Sequence, residues 1–320
     1  MQWKNVLLML LVTSVWSISV QAEVAITENE GRITVTVDGQ LFTEWWHGDW
    51  LAPYLYPVVG PSGQSVTRHY PMKDEAPDED RDHPHHRSIR FSHRNVNGFS
   101  FWAPDSKAGG SRARIVLDEV EKIQSGETGE LVLRNRWMGD DKLVLTETVR
   151  LSFIPLEKRQ MLMDFDVSLE ANGDSDVEFV DEKDGGLMVR VAGTMKVADR
   201  KTKVGEGTIL TSRGDKNQEA WGKRAEWADY YGPDPSGKVA GVAIFDHPSN
   251  LRYPTHWHAR TYGLITANRF GAGFFEAKNG ATKGDGSYTI RRGDTLKLRH
   301  RLYIHLGDSE SADVAGQYQK

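Results

Sequence analysis

Hydrophobic residues in this chain recur with a period of two, and that spacing restricts its fold more than any other feature. Ile33-Thr34-Val35-Thr36-Val37 alternates strictly, and Asp38-Gly39 supplies a type I′ turn into Gln40-Leu41-Phe42. The alternation resumes over 114–117 and passes the Glu127-Thr128-Gly129 turn into 131–137. It turns again at Asp140-Asp141 and continues through 143–153 and 161–169. Further strands are predicted over 187–191, 239–245, 262–266, 288–290 and 296–305. The last of these has Leu296, Leu298, His300, Leu302 and Ile304 on one face. No stretch of twelve residues carries a helical apolar stripe. No linker, repeat or low-complexity tract divides the chain. The pattern predicts one all-β domain over 23–320, a large antiparallel β-sandwich.

The first 22 residues follow a different logic. Lys4, the apolar run 6–12 and Val20-Gln21-Ala22 have the order of a cleaved secretory signal. Thr13, Ser14, Ser17 and Ser19 interrupt the run before it reaches the roughly 20 apolar residues that span a bilayer. The expectation is export to a bacterial periplasm or beyond, with no membrane span after cleavage. The chain has no cysteine, which excludes a lipoprotein anchor, disulfide scaffolds, thiolate metal sites and thiol nucleophiles. Forty Lys and Arg against 45 Asp and Glu give a formal charge of -5, with no basic patch for nucleic acid. Neither a glycine-rich phosphate loop nor Gly-x-Ser-x-Gly occurs, so nucleotide and serine-hydrolase chemistry find no support.

Chemistry concentrates where histidines do. Of 11 histidines, six lie from His47 to His93 and three from His247 to His258, and Trp45, Trp46, Trp50, Trp102 and Trp257 lie within or beside the same segments. Trp221 and Trp227 stand just before the second segment. The first cluster centres on Asp82-His83-Pro84-His85-His86-Arg87, with His93 beyond it. Imidazoles beside carboxylates suit general acid–base work. On an extended segment, His83 and His85 would also point to one side, as metal ligands do. The plain alternative is a polar loop whose histidines cap strand ends. The preceding acidic run (Asp74, Glu75, Asp78, Glu79, Asp80) reads as a solvated rim.

In the second cluster, His256 and His258 share a face opposite Trp257, and Arg260 follows. Between the clusters, Glu182 and Asp184 precede Gly185-Gly186 and Arg190, as candidate acid–base or hydroxyl-binding groups or as ordinary turn residues. Glu276 ends the short apolar strand predicted at Gly273-Phe274-Phe275-Glu276. Indoles flanked by Arg, Asp and His suit a carbohydrate, whose C–H faces stack on rings while its oxygens take charge-assisted hydrogen bonds. Arg68, Arg87, Arg190, Trp102 and Trp221 join the candidate binding groups on that basis.

Several blocks occur in a characteristic order. They are 54–61, Thr67-Arg68-His69-Tyr70-Pro71-Met72, Asp82-His83-Pro84-His85-His86-Arg87, Phe91-Ser92-His93, Asn97-Gly98-Phe99, Phe101-Trp102 and Tyr262-Gly263-Leu264. Together with Asn268-Arg269-Phe270-Gly271, where Asn-Pro-Phe-Gly is usual, they resemble a bacterial family of unknown function labelled "methane oxygenase PmoA". A methane monooxygenase membrane subunit has several spans and this chain has none, so the label implies no activity. The order is also similar, more loosely, to galactose-mutarotase-like supersandwich proteins. That resemblance implies a histidine acid among His83, His85, His86 and His93, and Glu276 as the late glutamate base.

Three readings follow. The first is an exported enzyme of sugar acid–base chemistry (epimerase, mutarotase or lyase type) needing no cofactor, with His83, His85, His86, His93, Asp184 and Glu276 as candidate catalytic groups. The second is a metal enzyme that binds a divalent transition metal through His83, His85, His256 and His258. The third is a glycan-binding module without catalysis. The oligomeric state is open.

Overall fold

The computed structural model describes residues 22–48, 50–76, 79–104, 113–198, 205–280 and 284–320. The expected signal segment, except Ala22, lies outside the described residues, as does Asp78. In chain order the strands are β1 (Val24–Asn29), β2 (Arg32–Val37), β3 (Gln40–Trp46), β4 (Tyr54–Val58), β5 (Ile89–His93), β6 (Arg114–Gln124), β7 (Gly129–Gly139), β8 (Lys142–Pro155) and β9 (Met161–Glu170). There follow β10 (Val177–Phe179), β11 (Gly185–Arg190), β12 (Thr208–Thr211), β13 (Trp227–Pro233), β14 (Val239–Asp246), β15 (His256–Trp257), β16 (Leu264–Asn268), β17 (Tyr288–Ile290) and β18 (Thr295–Leu306). Two short helices, α1 (Ala272–Lys278) and α2 (Val314–Tyr318), complete the chain. None of the described helices is long and apolar enough to cross a membrane.

The strands form two eight-stranded sheets, ordered β1-β2-β3-β4-β5-β11-β16-β15 and β12-β13-β14-β18-β9-β8-β7-β6, with β10 and β17 paired apart. The sheets pack face to face on their alternate apolar residues, the arrangement expected of an all-β sandwich. Ile33, Val35, Ile89 and Phe91 of the first join Leu131, Leu133, Leu151, Phe165 and Leu302 of the second in one continuous core. Phe42 meets Phe153 edge-on at 6.0 Å, and Phe91 meets Trp137 at 6.3 Å. The Asp38-Gly39 turn has positive φ at both residues (51° and 72°), as a type I′ hairpin requires. The edge strand β6 is guarded by cross-strand pairs such as Arg134–Glu121 at 2.9 Å, a charged rim that discourages further pairing.

Three local expectations are corrected. Glu276 lies on α1 and not on a strand. There, Asp181 from a distant segment accepts the Phe274 N–H at 3.0 Å, an anchor that local sequence does not reveal. The strand predicted over 262–266 starts at Leu264, because Gly263 (φ 106°) completes a turn in which its N–H reaches Arg260 O at 3.0 Å. The histidine segment is a tight turn and not extended. His83 has φ 42°, and the His86 N–H closes on His83 O at 2.9 Å around Pro84 and His85.

Gly186 shows how tightly the central strands meet. Its φ is +87°, and a Cβ there would stand 1.9 Å from the Ala267 carbonyl oxygen on β16. Gly186→Ala is expected to lower the unfolding free energy by about 2–4 kcal/mol through overpacking and left-handed backbone strain. Gly39→Ala, where a Cβ meets open space, should cost only about 1 kcal/mol. Urea titrations of both variants check this; similar losses at the two positions would contradict it.

Candidate functional site

Strand parity decides which residues can reach a site. On β11, Leu187 and Val189 enter the inter-sheet core, as do Ile265, Ala267 and Trp257 from β16 and β15. Met188 points the other way, clustering with Trp102, Tyr262 and Leu264 on the outer face of the first sheet. Arg190 shares that side, its guanidinium lying 4.7 Å over the Tyr262 ring. The connection from β4 to β5 folds back over this face and delivers the histidine turn to it.

Within the turn, the His83 and His86 rings stack at 4.7 Å, and His85 stands edge-on to His86 at 4.4 Å. Tyr262 stacks on His83 at 5.3 Å, and Trp102 lies 5.6 Å from His86. The turn is held by a buried guanidinium. Arg68 donates to the carbonyl oxygens of Asp80 (2.6 Å), Asp82 (3.1 Å) and His83 (3.3 Å). Arg190 reaches Asp82 at 3.4 Å and His86 Nδ1 at 3.5 Å. Burial and the nearby Arg190 bring the Arg68 pKa down to about 10.

The acidic run expected to be a solvated rim is partly internal. Glu79 accepts the N–H groups of His69 (2.7 Å) and Tyr70 (2.6 Å), Asp80 binds Lys196 at 3.1 Å, and Asp82 binds His83 Nδ1 at 2.8 Å. Asp74 and Glu75 remain exposed. The correction has a physical cause: buried guanidinium and ammonium groups require counter-charges and acceptors.

Opposite the turn stands Asp184, just before β11. It lies 2.6 Å from Lys183 Nζ, 3.7 Å from Arg94 and 3.7 Å from His258 Nδ1. These groups, with His83, His85, His86, Arg260 and Tyr262, enclose a recess of about 270 Å³. Burial opposes ionisation of Asp184, yet His258, Lys183 and Arg94 together hold its carboxyl below the usual value. Burial and the adjacent Arg90 depress His85 to about 3. Burial likewise depresses His258 to about 3, and pushes His86 well below its ordinary value. Burial raises the Tyr262 phenol. His85, His86 and His258 therefore present neutral imidazoles to the recess, beside a protonated phenol and one carboxylate. Buried His258 Nδ1 has no hydrogen-bond partner among the described residues, an arrangement that costs roughly 1–3 kcal/mol unless a ligand or water meets it.

The other residues singled out in the sequence lie elsewhere. His93 has the parity of Phe91: it packs on Phe179 (5.5 Å) and Phe270 (5.3 Å) and bonds Val180 O at 2.8 Å. Glu276 is 3.5 Å from His256 and lines a separate shallow hollow with Arg213, Asp215 and Arg224. The structure thus does not bring Glu276 to the histidine turn. His256 and His258 do share a face, both packing on Phe275 (5.8 and 6.0 Å), with Trp221 edge-on to that ring at 5.5 Å. Trp257 is core, its indole N–H donating to Ala225 O at 2.9 Å.

Arg87 stacks over Trp50 (4.6 Å) and Tyr54 (5.2 Å), outside the recess lining. Trp102 forms the floor under His86 without lining the opening, and Glu182 offers its backbone oxygen to Asn268 at 2.8 Å. Among the described residues, no group of three or more His, Asp or Glu is arranged to hold a metal ion. His83 and His85 stand with His258 on the recess, while His256 turns to Glu276, so the four do not form one ligand set.

Sequence reasoning passes over Arg94, Lys183 and Tyr262 as site residues. Parity was the signal available for Arg94, the residue after the inward-facing His93. A larger groove of about 730 Å³ lies over β9 and β18. Of its lining carboxylates, Asp164 pairs with Arg301 at 2.6 Å, Asp246 with the buried Arg269 at 3.0 Å and Glu226 with Arg213 at 2.8 Å.

The buried imidazoles set an acid limit on stability. Burial holds His85 and His258 at about 3, and His93 and His256 at about 4, against about 6.5 when unfolded. Between those values the unfolded chain binds protons that the folded chain refuses, so stability falls as pH drops below about 6.5. A fully buried imidazole such as His93 contributes up to ~1.4 kcal/mol per pH unit in that window. Melting temperatures should be level from pH 8 to 7 and decline steadily from 6.5 to 4.5. A level profile down to 4.5 would show that these rings protonate in the folded state.

None of the curated proteins matches the chain. Distantly similar solved structures include two that each cover 90% of this chain. One is the Slr1438 protein from Synechocystis sp. PCC 6803, at 9% identity and a TM-score of 0.38, covering 90% of this chain and 93% of that one. The other is the polysaccharide lyase BACCELL_00875, at 8% identity and a TM-score of 0.30, covering 90% of this chain and 33% of that one. Likenesses this remote assign no activity. A family model matches residues 32–319 and carries neither an oxygenase nor a mutarotase assignment. By that match, the chain belongs to the family of unknown function DUF6807.

Proposed function

We propose that the protein is an exported carbohydrate-active enzyme that performs acid–base chemistry at a sugar carbon, of epimerase, mutarotase or lyase type. One observation carries the reading: His83, His85 and His86 of one turn meet the sequence-distant Asp184, His258 and Tyr262 around a single recess. Proton transfer at a sugar carbon needs an acceptor and a donor on one ring. His85, half-buried on the recess, is neutral and is assigned as the acceptor; the desolvation that keeps it neutral also lowers its basicity. Tyr262 keeps its proton because burial raises its phenol, and it is available as the donor. Asp184 faces His258 at 3.7 Å, close enough for electrostatic attraction and too far for a hydrogen bond.

The test uses purified protein on a panel of neutral and acidic oligosaccharides. NMR follows anomer exchange and deuterium incorporation at ring carbons, and ultraviolet absorbance follows unsaturated products. His85→Ala is expected to lower turnover by about 10²–10⁴-fold with an unchanged melting temperature, since His85 is not a core residue. Full turnover in that variant overturns the assignment of His85. Saturable binding by the wild type with no product overturns the enzyme reading in favour of a binding module.

A further inference from the structure

The wall of the recess carries more positive charge than its own carboxylate neutralises. Arg94, Lys183 and Arg260 line it, against Asp184 alone. Asp184 is engaged by Lys183 at 2.6 Å and by Arg94 at 3.7 Å. Arg260 makes no ion pair among the described residues, its guanidinium lying 5.5 Å over the Tyr262 ring. Asp82 cannot compensate, because it is committed to Arg68 (3.7 Å), Arg190 (3.4 Å) and His83 (2.8 Å). Like charges held around a small recess repel one another, and an anionic ligand removes that repulsion.

We infer that the recess takes a carboxylated sugar, a uronate, with its carboxylate held among Arg260, Lys183 and Arg94. The inference rests on the carbohydrate reading above and narrows it. A neutral hexose would use the same donors but leave the excess charge in place. A carboxylate accepts from guanidinium and ammonium groups together in short charge-assisted bonds. The same placement bears on reactivity. Cations on the carboxylate make the adjacent ring C–H more acidic, and the neutral imidazoles stand at the same recess. When that C–H bond breaks, its electron pair passes into the carboxylate and its proton to the imidazole. Reprotonation at that carbon from the opposite face by the Tyr262 phenol gives the epimer, and imidazolium and phenolate return to their resting states by proton exchange with water. Alternatively, the electron pair forms a C=C bond as the neighbouring C–O bond breaks, and the departing oxygen takes the Tyr262 proton.

Calorimetric titrations of the full chain with oligogalacturonate, oligoglucuronate and oligoalginate, each beside its methyl ester, test the inference. Sulfated neutral oligosaccharides form a further arm. At least one acid is expected to bind ten times or more tightly than its ester. Lys183→Met and Arg260→Met should each remove most of that difference at unchanged melting temperature; using both guards against one variant failing to fold. Equal binding of acid and ester overturns the uronate inference and leaves the sugar reading standing. Binding of the sulfated or neutral glycans alone does the same. If nothing on either panel binds, both fall together.

Discussion

A buried guanidinium with nowhere to shed its charge organises the candidate site. Arg68 is 1% exposed, and three backbone carbonyls of the segment 80–83 supply its acceptors. Because leaving any of its donors unmet inside the protein is costly, the segment must wrap around the arginine. That wrapping creates the turn bearing His83, His85 and His86. Arg190, at the end of β11, then pins Asp82 from the sheet side. An irregular loop is thereby held against a regular sheet, giving side chains from loop and strand a fixed relation.

The neutral imidazoles follow from the same packing. His86, packed against His85 and the Trp102 floor, loses water, as does His85, and the Arg190 and Arg90 guanidinium groups alongside disfavour further positive charge. A site built this way keeps these imidazoles unprotonated over a wide pH range, at the expense of their basicity and of acid stability. Asp184 is the counterpoint, since its cationic neighbours keep it ionised despite burial.

Much of the fold was legible along the chain. The strict alternation of 131–137 and 161–169 became β7 and β9, and the Asp38-Gly39 turn has the conformation its residues demand. The short strands β5, β13 and β15 left little trace: β5 alternates over only the five residues 89–93, β13 runs Ala228-Asp229-Tyr230-Tyr231 without alternation, and β15 has two residues. Of the site, His83, His85, His86, His258, Asp184 and Arg260 were legible by type and clustering. Glu276 and His93 were indistinguishable from them by those criteria. Arg269, where the resembled family usually has proline, is a buried partner of Asp246 and His300 (3.0 and 2.8 Å), a structural role that no local pattern announces.

The amino-acid sequence alone determined that this chain forms antiparallel strands and which segments hold its ionisable and aromatic groups. Those properties are set by side-chain period and turn chemistry over a few residues. Only the tertiary structure decided which of those groups meet. Inside or outside on a strand reverses with each residue, so His93 went to the core while Arg94 reached the recess. Contacts between segments a hundred residues apart arise from how sheets pack and loops fold back, and these depend on the whole core at once.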